Sequence, residues 1–493
     1  MNDTFDRRER IKRYLIVTVA TCFVMLLWSA YDSPLFPLYT SGDSSIFMLI
    51  GKGITEGKVP YRDLFDHKGP FLFWIEAAGW AIGGRTGIWA IETLGTVLSV
   101  IMIMKISEQL GSNSFLPVIG TAVVYLSYFG RGNLCENYSV PLVYVCLYLI
   151  VKYYQSDEIK HPAMYSFIYG VCFAVLAFIR INNATIICGF VLCIIVRLLI
   201  EREYLNLVRN LTAGLLGIIV IATPVCLYFY LNGALQDMLF CTFTYNFMYA
   251  SQRVNLSENG LIQRIVIYAP ITLTTIFFGS RILRKEYGKY NREFIVPLFF
   301  VSALYFAELL YTSMAMHYHM MALPLYSIAV AIALPDRFLK NPIMFLKDEK
   351  TRVKVAGFTW ITVIYSLFSL YNVGAPVYRH YLSDFCISRY RDVQDCIQVI
   401  PEEDRDSVIG YEISTSWYID RGITPCYKYY SMQHWWSADG FDVNQEFMDY
   451  VSSEFPKWIV AGTDIKDDQL KNILADHYTL VTDGKWAYYR YSG

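Results

Sequence analysis

The chain has 493 residues, 55% of them hydrophobic and 16% aromatic, with 42 Lys and Arg against 43 Asp and Glu, and its mean hydropathy is positive. This composition lies outside the range of soluble domains, and a formal charge of −1 provides no basic field for a nucleic acid. A helix needs roughly 20 mostly apolar residues to cross a hydrocarbon core of about 30 Å, and runs of about that length recur up to Val373, so the lipid bilayer is the expected environment.

In chain order, MNDTFDRRERIKR forms a basic N-terminus over 1–13, and the apolar run at 14–31 lacks a small-residue cleavage site, as in a retained signal anchor. Further spans are expected at 86–104, 115–129, 138–151, 163–179, 184–200, 211–231, 261–280, 294–311, 317–334 and 355–373. Alternate loops are rich in Lys and Arg: Lys105, then Lys152 and Lys160, then Arg197, Arg202 and Arg209, then 281–292, then 337–354. Basic short loops favour the cytoplasm. The alternation stays in phase only if GPFLFWIEAAGWAIG, residues 69–83, does not cross. That stretch carries Glu76 near its middle with Trp74 and Trp80 on either side, so a re-entrant or surface-lying helix on the outer face is expected. The alternative is a short crossing paired with 86–104 in a tight hairpin.

Eleven crossings leave residues 376–493 outside, where 11 Lys and Arg meet 19 Asp and Glu. VIGYEI, KWIVAG and WAYYRY have strand patterns, and VNQEFMDYVSSEF and DDQLKNILADHY have helical spacing, so a small α/β domain is expected. YKYYSMQHWWSADGF within it is a candidate sugar-binding stretch, or simply core. The fold class is therefore an α-helical polytopic membrane protein of about 11 spans plus interfacial helices, with a small C-terminal extracytoplasmic α/β domain. Residues 14–375 form the membrane domain, and 32–85 form its long first outer loop.

With this orientation the unusual polar residues share the outer face: Asp43, Arg62, Asp66, His67 and Lys68 in the first loop, Arg131 and Glu136 in RGNLCEN, Arg180, Asn182 and Asn183 in RINN, and His317 and His319 in MHYH. Arg62, Lys68, Arg131 and Arg180 are cations where cations are disfavoured, and an anionic ligand would account for them. A carboxylate beside them could take a proton from an acceptor while the cations hold a departing phosphate. Outside the cytoplasm there are no nucleotide sugars, which points to a polyprenyl-phosphate sugar donor and a glycan, lipid or protein acceptor. No ligand set for a metal is legible and no cofactor is expected, although a divalent ion stays open. Each residue also has a plainer reading: Asp43 as a helix cap, Lys68 as a snorkelling lysine, Glu136 as a cap and Arg180 as a surface anchor.

GDSS in the first outer loop, VPYRDLFDHKGP before the re-entrant run, RGNLCENYSVPL, FIRINNA, LNGALQDMLFCTFTYNFMY and MHYHMMALPL together resemble bacterial GT-C glycosyltransferases of the protein O-mannosyltransferase-like and aminoarabinose-transferase-like groups. The resemblance implies a catalytic acid in the first outer loop, a polyprenyl-phosphate donor, inversion at the sugar and a bacterial cell-membrane location. By position Asp43 matches the catalytic acid, and Ser44 stands where a second acid is frequent. Related enzymes show Glu-Lys-Pro-Pro near 66–70; here Lys68 and Pro70 match, His67 takes the acid position and Gly69 replaces the first proline. Catalysis is thus expected of Asp43, Asp66 and Glu136, phosphate binding of Lys68, Arg62, Arg131 and Arg180, and substrate contact of His67, Asn182, Asn183, His317 and His319. The competing readings are a transporter or flippase of an anionic lipid-linked glycan, with Glu92 and Glu308 as its intramembrane acids, and a non-catalytic membrane scaffold.

Overall fold

A computed structural model describes residues 7–38, 42–112, 115–128, 131–156, 158–248, 260, 264–265, 267–311, 315–334 and 349–493. Arg337, Lys340 and Lys347 of the last basic loop, and much of the 232–260 loop, lie outside the described residues. The chain is mainly helical. In order come α1 (Arg7–Trp28), α2 (Gly42–Thr55), α3 (Pro70–Gln109), α4 (Leu116–Tyr128), α5 (Cys135–Tyr154), α6 (Ala163–Arg180), α7 (Thr185–Ile200), α8 (Tyr204–Leu231), the short α9 (Leu235–Leu239), α10 (Ala269–Leu283), α11 (Arg292–Tyr311), α12 (Leu323–Ala333) and α13 (Glu349–Tyr381). Seven segments among the described residues are long and apolar enough to cross a membrane, and Leu116–Tyr128 and Ala269–Leu283 are shorter apolar helices. Arg180 is extended (φ −164°, ψ 115°), so the apolar segment Ala163–Ile200 bends at 181–184 into α6 and α7.

Two compact units are formed: Met1–Ser29, Ile91–Cys226 and Val254–Gly374 make the first, and Ala30–Ala90, Leu227–Arg253 and Ala375–Gly493 make the second. The division does not follow chain order, because residues 30–90 belong to the same unit as the C-terminal segment.

Within the second unit, residues 70–82 are a helix of their own. The chain turns at Gly83 and Gly84, the latter with φ 58° in the region that favours glycine, and the two arms meet so closely that a Cβ on Gly87 would lie 2.0 Å from the Gly79 carbonyl oxygen. Thirteen residues at 1.5 Å each give about 20 Å, too short for a crossing. Glu76 is fully buried there, under α2, where Gly51 lies against its Cβ. The carboxylate that made a crossing costly in the sequence is thus covered by protein. Arg85 closes the hairpin onto the first loop, its Nε donating to the Tyr31 carbonyl at 3.1 Å and Nη2 to that of Phe36 at 3.1 Å. Gly87→Val should overpack this contact and cost about 1–3 kcal/mol, read as a lower melting temperature in detergent; an unchanged melt would mean that the arms separate freely.

The C-terminal part of the second unit is α/β. α14 (Phe385–Val399), α15 (Ser416–Arg421), α16 (Gln433–Trp436), α17 (Val443–Glu454) and α18 (Asp468–His477) accompany β1 (Val408–Tyr411), β2 (Trp458–Ala461), β3 (Tyr478–Asp483) and β4 (Ala487–Tyr491) in a sheet of order β1-β2-β4-β3. β1 and β2 are parallel and the other pairs antiparallel. β1 and β2 are buried along their length, which is why VIGY and WIVA are uninterrupted apolar runs. Asp442 and Asp467 cap α17 and α18 by accepting from Gln445 N and Leu470 N. All eleven cysteines are free thiols.

Candidate functional site

Asp43 lies in the first turn of α2 and is exposed, whereas Ser44 to Gly53 of the same helix are buried. A covered helix therefore presents one carboxylate in its first turn. The turn VPYRDLFDHKG is built next to it by local bonds. Tyr61 N donates to the Leu64 carbonyl at 2.8 Å, Val59 N to the Asp63 carboxylate at 2.8 Å, and the Tyr61 hydroxyl to the Lys68 carbonyl at 2.7 Å. Asp66 Oδ1 accepts from Lys68 N at 2.7 Å, and Lys68 Nζ stands 2.7 Å from His67 Nε2.

Burial pushes the Asp66 carboxyl up to about 6; the charge and backbone N–H of Lys68 oppose the shift, and the negative charge of Asp43 adds to it. Asp43, Asp66 and Lys68 thus form one electrostatic group. Between the ordinary value of 3.8 and about 6 the folded state holds the extra proton, so this stabilisation is complete below about pH 4 and is lost as pH rises through about 6. Relative to Asp66→Asn, the wild type should lose up to about 3 kcal/mol across that window, measured by unfolding in detergent at both ends; equal slopes for the two proteins would contradict it.

A residue the sequence did not single out holds this turn. Phe65 N donates to the Lys428 carbonyl at 3.0 Å and its own carbonyl accepts from the Tyr430 hydroxyl at 3.0 Å. Its ring sits 5.2 to 5.8 Å from the rings of Tyr429, Trp436, Tyr245 and Phe441. Asn246 Nδ2 donates to the His67 carbonyl at 2.7 Å. YKYYSMQHWWSADGF thus packs largely inward: Tyr429, Tyr430 and Trp436 are buried, and Trp435 is half exposed. The available signal was a lone Phe between acids in DLFDHK, whose burial has to come from elsewhere in the fold. Arg62 is committed to a bidentate pair with Asp63, at 2.8 Å for both contacts, and to the Asn232 carbonyl at 3.0 Å.

In the first unit the segments RGNLCEN, RINN and MHYH meet. Glu136 Oε1 accepts from Arg180 Nη1 at 2.7 Å, with only 1% of the Glu136 side chain exposed. The Arg180 guanidinium lies 3.7 Å from the Tyr318 ring centroid, and His317 acts electrostatically on Glu136. Asn183 donates to Ser139 Oγ at 2.8 Å, and Thr185 Oγ1 donates to the Asn182 carbonyl at 2.9 Å. His319 points elsewhere, into the Tyr128 and Tyr268 rings at 5.1 and 4.1 Å, with both ring nitrogens buried and lacking a hydrogen-bond partner among the described residues. Among the described residues no group of three His, Cys, Asp or Glu side chains could hold a metal ion.

Arg131, Gly132 and Asn133 form a turn with φ of 79°, 95° and 53°. Glu92 anchors it by accepting from Asn133 N at 2.7 Å and from the side chains of Ser29 and Asn137. Only glycine fits at 132, because a Cβ there would come within 2.1 Å of Ser29 Oγ. Glu92, a candidate transport acid in the sequence, is thereby bound into loop architecture.

The structure is similar to a crystal structure of ArnT from Cupriavidus metallidurans bound to undecaprenyl phosphate, with a TM-score of 0.60, 13% identity and 97% of each chain covered. At that identity the likeness establishes the fold, which is of the GT-C type. No curated protein matches the chain. Residues 5–380 match the family described as the putative competence-induced protein Ccs4 N-terminal domain, and the chain belongs to that family.

Proposed function

We propose that this protein is an integral membrane glycosyltransferase that moves a sugar from a polyprenyl-phosphate donor to an acceptor outside the cytoplasm, with inversion. The observation that carries the reading is Asp43, an exposed carboxylate on a buried helix, beside Asp66 and Lys68. The fold of a protein crystallised with undecaprenyl phosphate supports the class of donor. The acceptor hydroxyl attacks the anomeric carbon from the face opposite the phosphate, its proton passes to Asp43, and the electrons of the broken C–O bond leave with the polyprenyl phosphate. Lys68 is assigned to that phosphate, and the sequence expectation of phosphate binding by Arg131 and Arg180 is kept as part of the proposal. Glu136 fixes the Arg180 guanidinium. His67, Asn182, Asn183 and His317 are assigned to substrate contact. The reading places the protein in the bacterial cell membrane, with the N-terminus cytoplasmic and residues 376–493 outside.

Purified protein in vesicles, given a set of synthetic polyprenyl-phosphate sugars and a glycan or lipid acceptor, should release polyprenyl phosphate in step with glycosylated acceptor. No cleavage of any donor would overturn the proposal. Movement of an intact donor across the bilayer would replace it with a flippase.

A further inference from the structure

The C-terminal part of the second unit holds a cavity of about 180 Å³ that has no role in the proposed transfer. α14 contributes Ser388, Arg389 and Asp392 to its lining, α15 contributes Ser416, Trp417, Asp420 and Arg421, and the β3–β4 turn contributes Lys485 and Trp486. A space of about 180 Å³ is on the scale of a single sugar ring rather than of an oligosaccharide.

Its chemistry is unlike that of a surface crevice. Three cations face two carboxylates, in two fixed pairs: Arg389 Nε to Asp420 Oδ2 and Lys485 Nζ to Asp392 Oδ2, both at 2.5 Å. The Arg389 and Asp420 side chains are only 12% and 4% exposed, and burying such a pair contributes little stability on its own. Arg421 is oriented by donating to the Asp392 carbonyl at 2.9 Å and to the Trp417 carbonyl at 3.2 Å. The Trp417 ring is buried under the Arg421 guanidinium, 4.7 Å from its centroid, so Trp486 is the indole left to cover the apolar C–H face of a ring, while carboxylates accept from vicinal hydroxyls and serines exchange hydrogen bonds with them. The surplus cation is left for a negative substituent.

We infer that this cavity binds one saccharide unit bearing a carboxylate or phosphate, at a site separate from the Asp43 cluster. The inference does not depend on the transferase reading.

The test is calorimetric titration of the full-length protein in detergent with galacturonate, glucose 6-phosphate, glucose and inorganic phosphate. Saturable binding is expected of one or both anionic sugars, weaker binding of glucose, and none of inorganic phosphate. Lys485→Ala and Trp486→Ala, at a half-exposed and a partly exposed position, should each weaken anionic-sugar binding at least fivefold, and Asp43→Asn should leave it unchanged. A response to uronate alone or to sugar phosphate alone names the anionic group. Absent binding, equal affinity for inorganic phosphate, or affinity unchanged in both cavity variants would overturn the inference.

Discussion

Asp43→Asn should lower sugar transfer by about 10²- to 10⁴-fold, the usual contribution of a positioned general base, with little change in donor KM. The separation of the two effects follows from where the side chain sits. Asp43 is exposed at the first turn of a helix whose body is buried, so its loss leaves α2 packed as before, and asparagine caps a helix start about as well as aspartate. The cost to stability is the dipole interaction, about 0.3–1 kcal/mol. A second readout distinguishes a base from a cap. The charge on Asp43 helps to hold Asp66 at about 6, so removing it should move Asp66 downward and shift the acidic limb of any residual activity to lower pH. Full activity in the asparagine variant, measured as polyprenyl phosphate released per enzyme, would remove Asp43 from the chemistry.

What the sequence could show follows from the range of the forces involved. Apolar runs and basic loops are local signals, so the polytopic fold, a separate short helix in the 69–83 stretch and the strands VIGY and WIVA could be read directly. β3 carries no expectation in the sequence beyond Tyr478, the end of the helical pattern DDQLKNILADHY, which it follows with no intervening turn residue. Contacts over long sequence separation left no local trace. Phe65 reads as a loop residue until Tyr430 and Trp436, some 365 and 371 positions later, close around it. Glu92 reads as an intramembrane acid until Asn133 and Asn137 bind it. For the candidate site, residue types and loop membership were legible; which cation is available to a ligand was not. Arg62 and Arg180 look equivalent in the sequence, yet one is exposed and tied in bidentate fashion to its chain neighbour, and the other pairs with the buried Glu136 and stacks on Tyr318.

Arg180→Ala should destabilise the protein by about 3–5 kcal/mol, because it leaves the Glu136 carboxylate, 1% exposed, buried without its counter-charge. This loss alone does not reveal a role in donor binding, since any structural ion pair would behave the same way. The double variant Glu136→Gln with Arg180→Gln separates the two roles. With both charges gone and amides in their place, no buried charge is stranded, and the melting temperature should recover most of the way to wild type. If Arg180 also serves the donor phosphate, the recovery stops there: donor KM should stay raised at least tenfold, the equivalent of losing one charged hydrogen bond of about 1.4 kcal/mol or more. Tyr318→Phe keeps the aromatic face under the guanidinium, so it should leave both measurements near wild type. A double variant that regains normal donor affinity would confine Arg180 to structure and leave Lys68 as the phosphate cation.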